Sequence, residues 1–125
     1  MIVGTGVDII EHARWEQELA QAPWEPGHGV FTDSEIRACN SARRPAAQFA
    51  ACFAAKEALL KALAIEVSDV GYFREIEVKK DGEGRHAISV NARLRKEAEQ
   101  LGVSRVWLSI ASTRRGSAAL VVLES

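Results

Sequence analysis

The chain has 125 residues, of which 47% are hydrophobic and 26% charged, and its formal net charge is −1. This length and composition predict one globular domain over residues 1–125. The near-zero charge excludes bulk attraction to nucleic acid, and no apolar run approaches the roughly 18 residues that a membrane span needs. The chain enters a strand pattern at once, without signal-peptide features, so we expect the cytoplasm, with Cys39 and Cys52 as free thiols.

The first half predicts a strand followed by three helices. Residues 2–10 are β-branched and interrupted by glycine, which is typical of a buried strand. Residues 11–22 have helical composition, and Pro23 ends that helix. Thr32 and Glu35 have the spacing of a capping box, which predicts a short helix to about Cys39. Residues 46–64, rich in Ala and Leu, predict the longest helix.

The second half predicts four strands and one helix. Residues 75–80 and 86–90 alternate around a glycine turn, as in a hairpin. Asn91 predicts the N-cap of a helix that ends at Leu101, with Gly102 just beyond it. Residues 105–111 and 117–123 predict two more strands, joined by a turn at Arg114 and Arg115. This order indicates an α+β domain with a largely antiparallel sheet packed on the long helix.

Three ionisable residues are candidates for chemistry. Asp8 is an acid in an otherwise apolar strand, where burial costs several kcal/mol unless a cation or donors compensate. Glu57 follows Phe49 and Phe53 at steps of four, so it should lie at the margin of the buried helix face, with Lys61 one turn further. The pattern allows a surface ion pair between Glu57 and Lys61, or a Mg²⁺ site formed by Asp8 and Glu57 with Lys61 reaching a phosphate.

Two segments resemble the motifs of the group I holo-acyl-carrier-protein synthases, a family of 4′-phosphopantetheinyl transferases. They are GTGVDIIEHAR at residues 4–14 and FAACFAAKEALLKAL at residues 49–63, with the AAKEA core at 54–58. The strand at 75–80, its glycine turn and the closing LSIA…AALVVLE pattern (108–124) follow in the family's order. The resemblance therefore covers nearly the whole chain.

The resemblance implies Mg²⁺-dependent transfer of phosphopantetheine from coenzyme A to a serine of an acyl carrier protein. It implies that Asp8 and Glu57 bind the metal and that Lys61 contacts phosphate, as a proton acceptor or as an electrostatic stabiliser. It also implies carrier docking at Arg14 and a homotrimer with its active sites between subunits. Further candidate coenzyme contacts, with alternatives left open for the last two, are Phe49, Phe53, Arg85 (3′-phosphate or solvent) and Trp107 (filling the pocket or stacking).

The chain also departs from the family pattern. The family's His-x-Ser-x-Ser-His strand is replaced by residues 107–112 (WLSIAS), and the basic residues expected at Cys52 and Gly29 are missing. The first helix carries several glutamates and only Arg14 as a cation, a poor surface for an acidic carrier, although Arg37, Arg43 and Arg44 could compensate.

Two hypotheses follow from these departures. The chain is a working transferase, for instance one tuned to a polyketide carrier. Alternatively, it is a degenerate member that lost the activity and serves as a carrier-binding module or as another enzyme on carrier-bound acyl chains. His12, His28 and His86 have no partner spacing, and we expect them at the surface.

Overall fold

A computed structural model describes residues 1–24, 26–27, 29–66 and 69–125. Its elements confirm the α+β fold and most of the predicted order. They are β1 (Ile2–Glu11), α1 (His12–Gln21), α2 (Asp33–Asn40), α3 (Pro45–Ala62), α4 (Gly71–Arg74), β2 (Ile76–Lys80), β3 (His86–Val90), α5 (Ala92–Gln100), β4 (Arg105–Ser112) and β5 (Gly116–Glu124).

The strands form two antiparallel sheets rather than one. The larger sheet has the order β1-β5-β4, so the last strand of the chain lies between the first strand and β4. The hairpin β2-β3 forms the smaller sheet. Because β1 lies at the edge of the larger sheet, one side of it is open to a ligand or to another chain.

Helix α3 is the centre of the core. Pro45 stands at its first position, where the missing N–H costs no helical hydrogen bond. The helix is buried on nearly every side, and it packs on the larger sheet as well as on α1, α2 and β2. A helix that is hydrophobic all round belongs in the interior, which explains its lack of an amphipathic pattern.

Two glycines bring β1 unusually close to α3. A Cβ atom on Gly6 would overlap the carbonyl oxygen of Ala58, and one on Gly4 would overlap the carbonyl oxygen of Ala62. Side chains alternate along a strand, so Asp8 points to the same side as these glycines. The glycines therefore set the distance at which Asp8 meets the helix.

The prediction that β1 is a buried strand is wrong for its outward face. Val7 is 57% exposed and Ile9 72% exposed, because the described chain has no layer beyond that side of the sheet. The inward side is covered by α3. A strand that is apolar on both faces thus has only one of them buried within this chain.

Two local features differ from the sequence prediction. The short helix α4 precedes β2, where no helix was predicted. Asn91 does stand at the N-cap of α5, but its side chain makes no capping hydrogen bond. The Glu75 carboxylate accepts from the Leu94 N–H at 3.0 Å instead, so a residue distant in sequence caps this helix. Among the helices of the described ranges, none has the length and apolar character to cross a membrane.

Candidate functional site

Asp8 of β1 meets α3 at the open edge of the larger sheet. The Lys61 ammonium donates to Asp8 Oδ1 at 3.0 Å and to the Val7 carbonyl at 3.3 Å. Lys61 thus pairs with Asp8 in the structure, and not with Glu57 as the surface-pair alternative proposed. The Asp8 side chain is 17% exposed and that of Lys61 54% exposed, so the pair remains accessible from solvent.

Glu57 lies beside this pair and is partly buried. Its pKa is raised, chiefly by burial and then by the negative charge of Asp8, while Lys61 and Arg14 oppose the shift. Because the charge of Asp8 acts on Glu57, the two carboxylates are close neighbours. The structure therefore brings Asp8 of β1 next to Glu57 and Lys61 of α3, which lie far from it along the sequence.

Arg14 of α1 borders the same site. Its guanidinium carbon lies 5.0 Å from the ring centroid of Phe53 and 5.3 Å from that of Trp15. It is also close enough to lower the pKa of Glu57. The sequence pattern gave no reason to place Arg14 next to Glu57, because that contact depends on how α1 packs across α3.

The donor set suits a hard divalent cation. Asp8 and Glu57 supply carboxylate oxygens at a partly solvated edge, where burial and then the charge of Asp8 raise the pKa of Glu57. The described residues contain no group of three or more His, Cys, Asp or Glu side chains that could enclose a metal. Mg²⁺ is typically bound by one or two carboxylates together with waters and substrate phosphates, so two carboxylates fit it.

A second charged pair on α3, which the sequence analysis missed, is wholly buried. The Lys56 ammonium lies 2.6 Å from Glu35 Oε1 and donates to the carbonyls of Val30 and Phe73 at 2.8 Å each. Its signal in the sequence was a lysine that directly follows an uninterrupted apolar run, residues 49–55, in the long helix. This lysine ties α3 to the segments before α2 and at α4.

A cleft of about 430 Å³ opens on another side of α3, between α2 and the β2-β3 hairpin. Its lining includes Cys39, Cys52, Lys79, Lys80 and His86. Cys52 and Glu57 point about 140° apart around the helix, so this cleft does not contain the Asp8–Glu57 pair. Burial, the largest cause, raises the pKa of the Cys52 thiol well above its ordinary value, so that thiol stays protonated.

The predicted coenzyme contacts do not gather around Asp8 within one chain. Phe49 has no exposed surface and packs against Trp15 and Phe31, and Phe53 is nearly as buried. This corrects the placement of Phe49, which belongs to the aromatic core and has no surface with which to touch a coenzyme.

The other two predicted contacts are exposed but lie elsewhere. Arg85 pairs with Asp81 and Glu83 in the hairpin turn. Trp107 lies on the outward face of the larger sheet, where its indole N–H donates to Glu124 at 3.2 Å.

The prediction that the histidines lie at the surface is wrong for one of them. His12 is 2% exposed, and its Nε2 lies 2.9 Å from Ser117 Oγ. His86 is half-buried in the hairpin, where burial and then Lys80 lower its pKa. His28 lies outside the described residues. His12 was missed because its hydrogen-bond partner Ser117 comes from the far end of the chain, at β5.

Comparisons with known proteins assign nearly the whole chain to one family. A family model described as the 4′-phosphopantetheinyl transferase superfamily matches residues 4–120. The holo-[acyl-carrier-protein] synthase of Geobacter sp. strain M21 is 38% identical over 124 residues, covering 99% of each chain.

Solved structures give the same result. The holo-[acyl-carrier-protein] synthase of Neisseria meningitidis superposes with a TM-score of 0.87 at 30% identity, over 100% of both chains. That of Bacillus anthracis, in complex with coenzyme A (3′,5′-ADP), superposes with a TM-score of 0.79 at 31% identity, over 100% of this chain and 98% of the other.

Proposed function

The chain belongs to the 4′-phosphopantetheinyl transferase superfamily and is a holo-acyl-carrier-protein synthase, and we propose that Asp8, Glu57 and Lys61 form its active centre. The reaction moves 4′-phosphopantetheine from coenzyme A to a serine of an acyl carrier protein. The serine oxygen bonds to the β-phosphorus as the bond from that phosphorus to the bridging oxygen breaks. The bridging oxygen leaves with 3′,5′-adenosine bisphosphate, and the serine proton passes to water. The observation that carries the assignment is the meeting of Asp8, Glu57 and Lys61 at an open sheet edge.

Asp8 and Glu57 would hold Mg²⁺. Bound there, the metal would neutralise charge on the pyrophosphate of coenzyme A. The raised pKa of Glu57 supports this proposal, because a nearby cation would remove the repulsion that Asp8 exerts on it. Asp8 lies on β1 and Glu57 lies on α3. The close contacts of Gly4 and Gly6 with α3 fix the distance between these two elements.

Lys61 would bind a phosphate oxygen. Its side-chain nitrogen donates hydrogen bonds to Asp8 Oδ1 and to the Val7 carbonyl. We therefore assign it to electrostatic stabilisation of the transferring group rather than to proton acceptance. Because its side chain is 54% exposed, it can turn from Asp8 to a substrate without leaving a buried group unpaired.

Arg85 and Trp107 are the proposed contacts to the parts of coenzyme A beyond the pyrophosphate. Both are exposed, and neither lies at Asp8 within one chain. We propose that Trp107 reaches a coenzyme bound to a neighbouring subunit, since its sheet face points away from its own α3. Phe53 supports the site indirectly through its contact with Arg14.

A homotrimer would explain the outward face of the larger sheet. The face presents large apolar side chains that are 43–72% exposed: Val3, Val7, Ile9, Trp107 and Leu120. Val7 pairs with Leu120 across β1 and β5, so the apolar patch is continuous. Contiguous exposed patches of this kind mark protein interfaces. We propose that this face packs on neighbouring subunits and that the site is completed between them.

Light scattering tests the assembly. The wild-type protein should have three times the monomer mass at micromolar concentration, and Leu120→Arg should shift it towards the monomer. Leu101→Arg is the matched control, because Leu101 is equally exposed but lies at the end of α5. A monomeric wild-type protein would contradict the proposal that the site is completed between subunits.

Intact-mass spectrometry tests the activity. With coenzyme A, Mg²⁺ and an apo carrier protein, the carrier should gain the mass of one phosphopantetheine. Glu57→Gln should abolish the gain, because it removes a ligand charge while keeping the side-chain shape. Glu97→Gln is the control, since Glu97 is exposed on α5.

The degenerate-member hypothesis predicts a different result. No gain with any carrier from the protein's own source, together with coenzyme A binding that ignores Mg²⁺, would support it. The free, buried thiols of Cys39 and Cys52 support a reducing compartment, and we propose the cytoplasm.

A further inference from the structure

Two cysteines line one cleft, away from the proposed active centre. Cys39 stands in the last turn of α2, and Cys52 stands in the middle of α3. Both are free thiols, and both line the cleft of about 430 Å³ that opens between α2 and the β2-β3 hairpin. We call Cys39 and Cys52 the thiol pair; the chemistry proposed for Asp8, Glu57 and Lys61 does not use it.

A shared neighbour, Glu35, shows that the two thiols are close in space. Glu35 and Cys39 are four residues apart on α2, so they lie one turn apart on the same buried face. The Cys52 thiol donates to Glu35 Oε2 at 3.4 Å. Burial first, and next the Cys39 thiol, raise the pKa of the Cys52 thiol. Because one thiol acts on the other beside a common carboxylate, the two sulfur atoms are neighbours.

The helices that carry the thiol pair are held together from both ends. Residues 41–44 alone connect the end of α2 to the start of α3. At the other end of α2, the Glu35 carboxylate is fixed by the Lys56 ammonium of α3 and by the Val78 N–H. An S–S bond of about 2 Å therefore needs only side-chain rotation and a slight approach of α2 to α3, for which the cleft leaves room.

The thiol pair can be reached only by a small reagent. Cys39 is 7% exposed and Cys52 is 5% exposed, and the cleft is the opening that both residues line. A small oxidant such as hydrogen peroxide can enter this opening, whereas a cysteine of another protein chain is too bulky. Disulfides in reducing compartments are typically transient and redox-sensing, which suits a pair with this limited access.

We propose that Cys39 and Cys52 form a reversible disulfide when hydrogen peroxide enters the cleft, and that this bond fastens α2 to α3. The raised pKa keeps Cys52 protonated, so the Cys39 thiolate attacks first. A bond forms between its sulfur and one peroxide oxygen, the O–O bond breaks, and hydroxide leaves. The Cys52 sulfur then bonds to the Cys39 sulfur, and the Cys52 proton leaves with the sulfenic hydroxyl as water. The two sulfur atoms lose two electrons, which reduce the peroxide.

The disulfide stabilises the folded chain. It closes a loop over residues 39–52, which restricts the unfolded chain more than the folded one. It removes the thiol donor from Glu35 Oε2, but Glu35 keeps the Lys56 ammonium and the Val78 N–H as partners. Oxidation therefore fastens two helices without leaving the buried carboxylate unpaired.

Oxidation of the wild-type protein with hydrogen peroxide in slight excess tests the disulfide. The intact mass should fall by that of two hydrogen atoms, and alkylation after unfolding should label neither cysteine. The melting temperature should rise by about 5–10 °C over that of the reduced protein. Dithiothreitol should reverse all three changes. In the double variant Cys39→Ser/Cys52→Ser, peroxide should leave the melting temperature unchanged.

The single variants test the order of the two steps. Cys52→Ser keeps a hydroxyl donor for Glu35, so it should fold like the reduced wild type, and its Cys39 should stop at a sulfenic acid that dimedone traps. Cys39→Ser retains only the protonated Cys52, which should react at least about tenfold more slowly with peroxide. Equal rates in the two single variants would contradict the assignment of the first attack to Cys39.

Three results with the wild type would overturn the proposal. They are disulfide-linked dimers between chains, over-oxidation to sulfinic acid without an S–S bond, and a disulfide that leaves the melting temperature unchanged. Thiol counts, masses and melting temperatures need no transferase activity. The thiol pair and the proposed function therefore stand or fall separately.

Discussion

Helix α3 carries two lysines, Lys56 and Lys61, and each pairs with a carboxylate from another element. The Lys56–Glu35 pair is 0% and 1% exposed, and Lys56 has three acceptors for its three protons. Lys61 is half exposed, and its partner Asp8 stands at an open edge. The same residue type thus holds the fold together at one position and is free to exchange partners at the other.

Glu35 shows how a buried carboxylate can be fully compensated. Its Oε1 accepts from the Thr32 N–H at 2.8 Å, and its Oε2 accepts from the Val78 N–H at 2.7 Å and from the Cys52 thiol at 3.4 Å. Together with Lys56, these donors replace the water that burial removes. In the described part of the chain, Asp8 and Glu57 have no comparable set of donors, which leaves oxygen lone pairs for a cation.

Removing the buried lysine should have the largest effect. Lys56→Ala leaves Glu35 charged and unpaired in the interior, so we expect the free energy of unfolding to fall by about 3–5 kcal/mol. Chemical denaturation measures it. The double variant Lys56→Met/Glu35→Gln should recover part of the loss, because no buried charge remains. A loss below about 1 kcal/mol in Lys56→Ala would show that the pair is not structural.

Widening the contact between β1 and α3 should have the second-largest effect on stability. In Gly6→Ala the new methyl group meets the Ala58 carbonyl, and we expect a loss of about 1–3 kcal/mol together with reduced transfer, since Asp8 moves away from Glu57. Gly82→Ala is the control, because nothing lies within 4 Å of its Cβ position. Equal stability of the two variants would refute the close approach.

Removing the exposed lysine should separate activity from stability. Lys61→Ala should change the free energy of unfolding by less than about 1 kcal/mol, as is usual for exposed pairs. Transfer should nevertheless fall by about 10²-fold or more, as for the loss of one donor that stabilises the transition state. Parallel denaturation and initial-rate measurements test it. A large stability loss without a rate effect would make the two lysines equivalent.

The smallest effect should be a change in pH dependence. Because the folded protein raises the pKa of Glu57, mainly by burial, that residue favours folding below its ordinary value of 4.5, and this contribution disappears as pH rises through the raised pKa. Without metal, Glu57→Gln should therefore gain stability over the wild type on going from acid to neutral pH, by less than about 1 kcal/mol.

Thermal melts in EDTA measure this difference. Added Mg²⁺ should then raise the melting temperature of the wild type and leave that of Glu57→Gln unchanged. A stability difference that stays constant with pH would contradict the raised pKa. The control variant Glu97→Gln should follow the wild type at every pH.

Much of the candidate site was predictable, for reasons that particular residues show. Asp8 was conspicuous because an acid in an apolar strand needs a partner, and Glu57 because it continues a stripe of two aromatic residues. Their meeting could not be derived from spacing, since it depends on Gly4 and Gly6 admitting α3. Trp107 and Phe49 were harder to place. Whether such a residue contacts a ligand, another subunit or the core depends on which face of its sheet or helix it occupies.

The sequence by itself determined the elements other than α4, the capping box at Thr32, the hairpins and the membership of a transferase family, because these depend on local propensity and on motifs. The tertiary structure alone decided which charges are buried. Lys56 became structural because α2 and α4 close over it, and Lys61 stayed accessible because β1 is an edge strand. Glu75, and not Asn91, makes the side-chain capping bond to α5, and His12 is buried with its ring hydrogen-bonded to Ser117 of the last strand. Each outcome depends on contacts between distant parts of the chain, which no local pattern records.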